Sequence, residues 1–288
     1  MTAILTDSTC DLSPQELRRL GVGAVPLDIQ MNGQSYSDWD DIDTKAVFRE
    51  LQQGRAVASS PPSTEAFVQT YRPLLGAHQD IISIHISAKL SGTLSRAREA
   101  AEYLGATDRI HIVDSGFSSM ALAEQVLRAA ELTEQALSDN EIDTEDILEA
   151  LGRLRHYTVG EFCVGSLEHL RRAGRVSRSR EILGNLLGLR PILAFKDGAI
   201  VPVRTVQEKK AMHNIIAALE KQFGRTPLSV TAINAGQDSD RIAELKGALQ
   251  DSSLNIQRGR LQLFGAAVGA NLGPGSFGFM AVPIDALL

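Results

Sequence analysis

Cysteine is scarce: Cys10 and Cys163 stand far apart in 288 residues. Two distant cysteines build no disulfide framework and no C-x-x-C motif. They point to a reducing compartment, with the cytoplasm as the expected location. Long apolar runs are missing too. None approaches the ~20 residues that span a bilayer, and Met1 to Asp7 has neither the basic flank nor the long apolar core of a signal peptide. Basic charge is also in deficit. With 29 Lys and Arg against 35 Asp and Glu, the formal charge is −6, which argues against a nucleic-acid partner, because phosphate neutralisation needs a basic surface. The common catalytic signatures are absent as well: no G-x-x-x-x-G-K-[ST] loop, no H-E-x-x-H and no G-x-S-x-G elbow. The six histidines fall at no metal-ligating spacing, so no metal site is expected. His85 and His111 alternate within apolar stretches and read as packed or hydrogen-bonded side chains.

What remains is a globular composition, 43% hydrophobic and 22% charged, long enough for one large domain or two ordinary ones. Short apolar runs at Ala3–Thr6, Ile81–Ile86 and Ile110–Val113 alternate with helical patterns. This strand–loop–helix repeat predicts an N-terminal α/β domain over 1–157, with a mainly parallel sheet flanked by helices. Ser13-Pro14-Gln15-Glu16 spells a helix start. A hairpin is expected over Ala24–Asp38, turning at Asn32-Gly33. Beyond residue 157, expected strands at 158–164, 229–234, 255–263 and 277–282 mix with a hairpin at 192–206 and helices near 207–222 and 238–250. This predicts a C-terminal α+β domain over 158–288 with a mixed or antiparallel sheet.

Two hydroxyl-rich stretches stand out, each read as a loop opening a helix. They are Ser59-Ser60-Pro61-Pro62-Ser63 and Leu90-Ser91-Gly92-Thr93. A helix N-terminus offers free N–H groups and partial positive charge, and hydroxyls there add donors for a small anion. Each serine could equally be a plain cap. In parallel sheets, ligands sit beyond the carboxyl ends of the strands, where Asp7, Ser91, Thr93 and Asp114 are expected. Gly273-Pro274-Gly275-Ser276-Phe277-Gly278 fits G-x-G-x-x-G in letters only, since a strand and not a helix should follow. A tight turn bringing backbone close to a ligand is the better reading. Five arginines fall between 171 and 180, either a solvated helix end or a dock for an acidic partner or for phosphate.

Taken together these segments resemble the DegV family, the fatty-acid-binding subunits of bacterial fatty acid kinases. The matching residues are Ile4 to Ser8 with Asp11-Leu12, Ser59 to Ser63, Leu90 to Thr93, Val113 to Ser115, Leu170 to Ser177, Arg190 to Leu193 and Gly273 to Gly275. They cover nearly the whole chain. The resemblance implies a non-catalytic acyl carrier without a cofactor, holding a long-chain fatty acid between its two domains. The carboxylate would sit on Ser59 or Ser60, Ser91 and Asn271. Asp7, Thr93, Asp114, Gly273 and Gly275 would lie near the pocket. A separate kinase subunit would phosphorylate the carboxylate to an acyl phosphate, docking near Arg175 and Arg204; transient membrane contact is compatible with this. Apolar residues at Ile182-Leu183, Leu186-Leu187, Leu189, Ile192 and Leu193 could line a tunnel or be ordinary core. Three positions depart from the family pattern: Asn271 replaces a frequent histidine, Pro61 replaces a glutamine, and the stretch Val206-Gln207-Glu208 has Arg204 as its nearest arginine. The alternatives are an enzyme acting on a small anion, such as a hydrolase or phosphotransfer component using Asp7, Asp114 and Ser91, or a lipid sensor with no kinase partner.

Overall fold

The computed structural model describes residues 2–138, 142–176 and 188–287. In chain order the strands are β1 (Thr2–Asp7), β2 (Gly23–Val25), β3 (Asp28–Met31), β4 (Gln34–Ser37), β5 (Val57–Ser60), β6 (Asp80–His85), β7 (Ile110–Asp114), β8 (Val159–Cys163), β9 (Leu189–Lys196), β10 (Ala199–Gln207), β11 (Leu228–Asn234), β12 (Ile256–Leu263) and β13 (Phe277–Pro283). The helices are α1 (Pro14–Arg19), α2 (Thr44–Gln52), α3 (Thr64–Ala77), α4 (Thr93–Tyr103), α5 (Met120–Gln135), α6 (Thr144–Tyr157), α7 (Glu168–Arg172), α8 (Ala211–Phe223), α9 (Ser239–Gln250) and α10 (Ala266–Leu272). No helix among the described residues is long and apolar enough to cross a membrane.

Three sheets organise the described residues. The first is parallel throughout, in the order β2-β1-β6-β7. Its strands are apolar on both faces because both are covered. Ala3, Leu5 and Ile81 pack with Phe67, Val68, Tyr71 and Ala97 of α3 and α4. Ile4, Ile82 and Ile84 belong to the cluster holding the buried faces of α5 and α6. The second sheet is antiparallel, β4-β3-β5. The third is mixed, β10-β9-β8-β13-β11-β12, with only β11–β12 parallel. One face of it packs with α8, through Ile215, Ile216 and Leu219. The other contributes Phe162, Leu193, Ile233 and Met280 to the same cluster that contains Ile4 and Ile84. The two halves of the chain thus share a core, and α10 packs on α2, β3 and β5 of the N-terminal half.

Local chemistry sets the element ends. Ser13 and Glu16 form a capping box on α1, with Pro14 in the first turn; Asp143 and Asp146 form another on α6. The expected hairpin turns at Asn32-Gly33, both with positive φ, but it begins at Asp28, because Ala24 lies in β2, hydrogen-bonded to β1 in the parallel sheet. Ser59 and Ser60 differ from expectation as well: they end strand β5, and Ser63 alone caps α3, accepting from Ala66 N at 3.1 Å. Likewise Gly92, not Ser91, is the N-cap of α4 and makes no side-chain cap bond. Ile192 and Leu193 are core residues, whereas Ile182, Leu183, Leu186, Leu187, Arg178 and Arg180 lie outside the described residues. Cys10 and Cys163 are free and buried, and burial pushes both thiols up, Cys163 to about 11.

Candidate functional site

After β1 the chain moves to one side of the parallel sheet, to β2. It later returns to the other side of β1 to form β6. The carboxyl ends of β1 and β6 therefore flank a topological switch point, where a crevice opens. A cavity of about 500 Å³ lies there. Thr9 follows β1 into its wall, and Ile86, Leu90 and Ser91 follow β6. Ser59, Ser60 and Pro61 enter from the end of β5, and Ala267, Val268, Asn271 and Leu272 from α10. Leu170 of α7, Arg175 and Ile200 complete it.

Ser59, Ser60, Ser91, Asn271 and Arg175 are half-buried, whereas Leu27, Ile86, Leu90, Leu170, Ile200 and Leu272 are buried, with Thr9 and Ser118 the buried polar residues among them. The cavity thus has a polar mouth and a mainly apolar interior. At the mouth Asn271 Nδ2 donates to Ser59 Oγ at 2.9 Å and to Ala267 O at 2.8 Å. Ser59 accepts there, so its own proton is free to point into the cavity. Ser91 Oγ accepts from Thr93 N at 3.3 Å and shares a 2.8 Å hydrogen bond with Thr93 Oγ1. When Thr93 donates, the Ser91 proton is also released outward. Two hydroxyl donors can therefore meet one acceptor. Arg175 is the one cation in this wall among the described residues; its Nη1 donates to Ala173 O at 2.6 Å and it forms no ion pair among them.

Beneath the mouth, Asp7 is wholly buried and fully engaged. It accepts from Thr9 N (3.0 Å), Thr9 Oγ1 (2.5 Å), His85 Nδ1 (2.9 Å) and Ile86 N (3.0 Å). This ties the ends of β1 and β6 together and fixes Thr9 and Ile86 in the wall. His85 Nε2 lies 2.6 Å from Ser83 Oγ, which lies 2.8 Å from Tyr71 OH. The network places a proton on Nδ1 of His85 and directs the Ser83 and Tyr71 hydroxyls in sequence along the chain. Ser83, His85 and Asp7 thus have the mutual spacing of a hydrolase triad. All three are 0% exposed and none lines the cavity. A substrate has no approach to Ser83, and the arrangement serves as a buried strut.

A second strut holds α10. Asp11 accepts from Gly265 N, just before α10, at 2.9 Å and from Ser119 Oγ at 2.5 Å. Burial pushes its carboxyl up to about 8, with the neighbouring Asp38 and Asp7 adding to the rise. Burial likewise raises Asp38 to about 6.

A second cavity, of about 370 Å³, adjoins the first, and Ser118, Ile200, Val268 and Leu272 line both. Its wall is mainly apolar: Phe162, Phe195, Ile233, Phe264, Phe279 and Met280. Ser118, Ser119 and Glu161 are its polar residues, and both Arg204 Nη atoms hold the Glu161 carboxylate. A fork-to-fork pair neutralises the acid and fixes it.

A polar, hydroxyl-lined mouth beside an apolar recess has the chemistry to hold an amphipathic anion. The family model described as an uncharacterised protein of the DegV family matches residues 1–284. The chain belongs to the DegV family. A DegV domain-containing protein of Deinococcus radiodurans is 34% identical over 289 residues, covering 99% of each chain. Among solved structures, a DegV family protein of Thermus thermophilus described as fatty acid binding is 34% identical, with a TM-score of 0.89 over 98% of this chain and 99% of its own. DegV of Bacillus subtilis, described as a fatty acid binding protein, is 26% identical, with a TM-score of 0.83 over 98% and 99%.

Within this DegV fold the residues singled out from sequence separate into two groups. Ser59, Ser60, Ser91 and Asn271 converge on the mouth, joined by Arg175. Asp7, Thr93, Asp114, Gly273 and Gly275 do not line the cavity. Asp7 is spent on the strut. Thr93 is buried as the first residue of α4 and reaches Ser91 instead. Asp114 turns back to Gly116 N at 2.9 Å at the end of the edge strand β7. Gly273 and Gly275 do make a tight turn with positive φ, but it presses on protein. A Cβ on Gly273 would lie 2.4 Å from the His169 ring, and a Cβ on Gly165 would lie 2.1 Å from Pro274 O. Arg204 faces Glu161. Thr9, Ser118 and the α10 residues Ala267, Val268 and Leu272 carried no sequence signal; in the fold α10 packs closely, as Gly269 does on the Phe48 ring. Among the described residues no group of three His, Cys, Asp or Glu is arranged for a metal ion.

Proposed function

We propose that this chain binds a long-chain fatty acid between its N-terminal α/β half (1–157) and C-terminal half (158–288), and presents the carboxylate to a separate kinase subunit for phosphorylation to an acyl phosphate. The observation that carries the reading is the mouth. Ser59 has a protein donor on its oxygen and a proton free for a ligand, Ser91 has the same when Thr93 Oγ1 donates to it, and both stand beside Ser60 at the entrance to an apolar recess. Hydroxyl donors hold a carboxylate by charge-assisted hydrogen bonds. They leave it less neutralised than a bidentate arginine would, so an oxygen stays available to attack a phosphoryl group. The half-buried mouth keeps that oxygen within reach of a partner, and Arg175 at its wall supplies positive charge where a phosphoryl group would add negative charge. The fatty acid binding described for the Thermus thermophilus and Bacillus subtilis proteins supports the ligand class.

Energetics support retention. About 15 buried methylenes at ~0.8 kcal/mol each give ~12 kcal/mol of gross transfer energy, from which lost rigid-body freedom and ordering subtract several kcal/mol or more. Native mass spectrometry of the purified chain against its denatured mass, with a lipid extract, tests the ligand. A near-stoichiometric fatty acid is expected, and a Ser59, Ser60 and Ser91 triple alanine variant with unchanged affinity would refute the site. Incubation of the loaded protein with a fatty acid kinase catalytic subunit and nucleotide should then yield acyl phosphate; intact fatty acid after that incubation counts against presentation.

A further inference from the structure

The apolar recess has a second end. Behind it, past the tip of the β9–β10 hairpin, an open cleft of about 930 Å³ lies between that tip, the end of α6 and the loop after β7. Among the described residues Phe195 is the single one that lines both the recess and this cleft. Its ring is held from two sides. Phe117, on the cleft side, meets it edge-on at 5.4 Å between centroids, and Phe162, on the recess side, lies at 5.6 Å. Gly160 makes room for it, since a Cβ there would lie 3.2 Å from Phe195 Cδ2. The hairpin that carries it pairs Phe195 with Ile200 and turns at Asp197-Gly198. Ser87 Oγ anchors that turn by donating to Gly198 O at 2.8 Å.

We infer that Phe195 is the stopper that ends the acyl tunnel and sets the longest chain this protein accepts. The inference rests on the fatty-acid reading above. Mouth, recess, Phe195 and cleft lie in series, so a tail that enters at the serines advances until it meets this ring. Each methylene buried before that point strengthens binding about fourfold. A methylene beyond it must displace a ring packed against two others, or fold back, and gains nothing. Without the ring the tail runs on into the cleft and the limit moves to longer chains.

The test uses delipidated full-length protein and a saturated series: lauric, palmitic, stearic, arachidic and behenic acids. Each competes against one fluorescent fatty acid, with adducts checked by native mass spectrometry. Wild type should gain affinity with length and then break. Phe195→Ala should move the break to longer chains, and Phe195→Trp should move it to shorter ones. Phe195→Leu keeps an apolar side chain in place and gives a readable variant should the alanine fail to fold. A break at the same length in all folded variants overturns the stopper and leaves the binding reading intact. Failure of the wild type to bind any member overturns both.

Discussion

Asn271→Asp tests the mouth in the most direct way. In the wild type both Nδ2 hydrogens are used, one on Ser59 Oγ and one on Ala267 O. Aspartate loses both donors and adds a negative charge. The amide nitrogen lies 2.9 Å from Ser59 Oγ, and a carboxylate oxygen accepting from that hydroxyl would lie about 2.7 Å beyond it. The two anionic groups would then stand about 5 Å apart. With an effective dielectric of about 20 their repulsion is about 3 kcal/mol, roughly two orders of magnitude in Kd. Asn271→Ala loses only neutral hydrogen bonds, worth about 1 kcal/mol, so about fivefold is expected. Competition binding of palmitate to delipidated protein at pH 8 reads both. The aspartate variant should recover affinity as pH falls, because protonation removes the repelling charge. Equal losses for aspartate and alanine would refute the placement of the carboxylate beside Ser59.

Three further outcomes follow from the buried polar groups and the Gly-Pro-Gly turn. Asp11 has a folded pKa of about 8 against an ordinary value of 3.8, so the folded state holds an extra proton between these values; its contribution is fully present below about pH 4 and is lost as pH rises towards 8, at up to ~1.4 kcal/mol per pH unit. Asp11→Asn keeps an acceptor for Gly265 N and should flatten that slope in thermal melts from pH 5 to 8; a slope parallel to wild type would refute it. Ser83→Ala strands the buried Tyr71 hydroxyl and His85 Nε2, costing about 1–3 kcal/mol, or about 2–5 °C in Tm for a chain of this size, with fatty-acid affinity unchanged. An ester-hydrolysing activity of the wild type abolished by this variant would show the strut to be a working triad. Gly165→Ala drives a Cβ into the Pro274 carbonyl and should cost about 1–3 kcal/mol, with weaker acyl binding as the turn following α10 shifts; a variant with wild-type Tm would refute the close approach.

The pattern of legibility follows from what each signal encodes. Periodicity and caps are local, so the parallel sheet, the Ser13–Glu16 box and the Asp197-Gly198 hairpin are readable in the chain. Pairing partners are not local. Ala24 has the alternating texture of a hairpin strand, yet its neighbour is β1, and only the tertiary arrangement decides that. Helix α10 is hard to see for a related reason: its seven residues, four of them Ala or Gly, lie between Gly265 and Gly273 with no amphipathic stripe, and what holds the helix is packing on Phe48 and the Asp11 anchor, more than 200 residues away.

The site was legible in its chemistry but not in its depth. A serine before a helix and an aspartate ending a strand look equally functional in sequence, because residue type does not record which lone pairs are already taken. In the fold that is the deciding quantity. Asp7 spends its oxygens on four donors and becomes structure, although it forms a triad-like chain with His85 and Ser83. Ser59 has its oxygen engaged by Asn271, and Ser91 accepts from Thr93 N, which leaves the Ser59 proton, and the Ser91 proton whenever Thr93 Oγ1 donates, for something outside the protein. The same logic explains how Asn can serve at position 271, where the resemblance leads one to expect histidine. On the proposed reading the mouth needs a donor to Ser59 in the resting protein, and the Asn271 amide supplies it at any pH, without a charge that titrates as a ligand arrives.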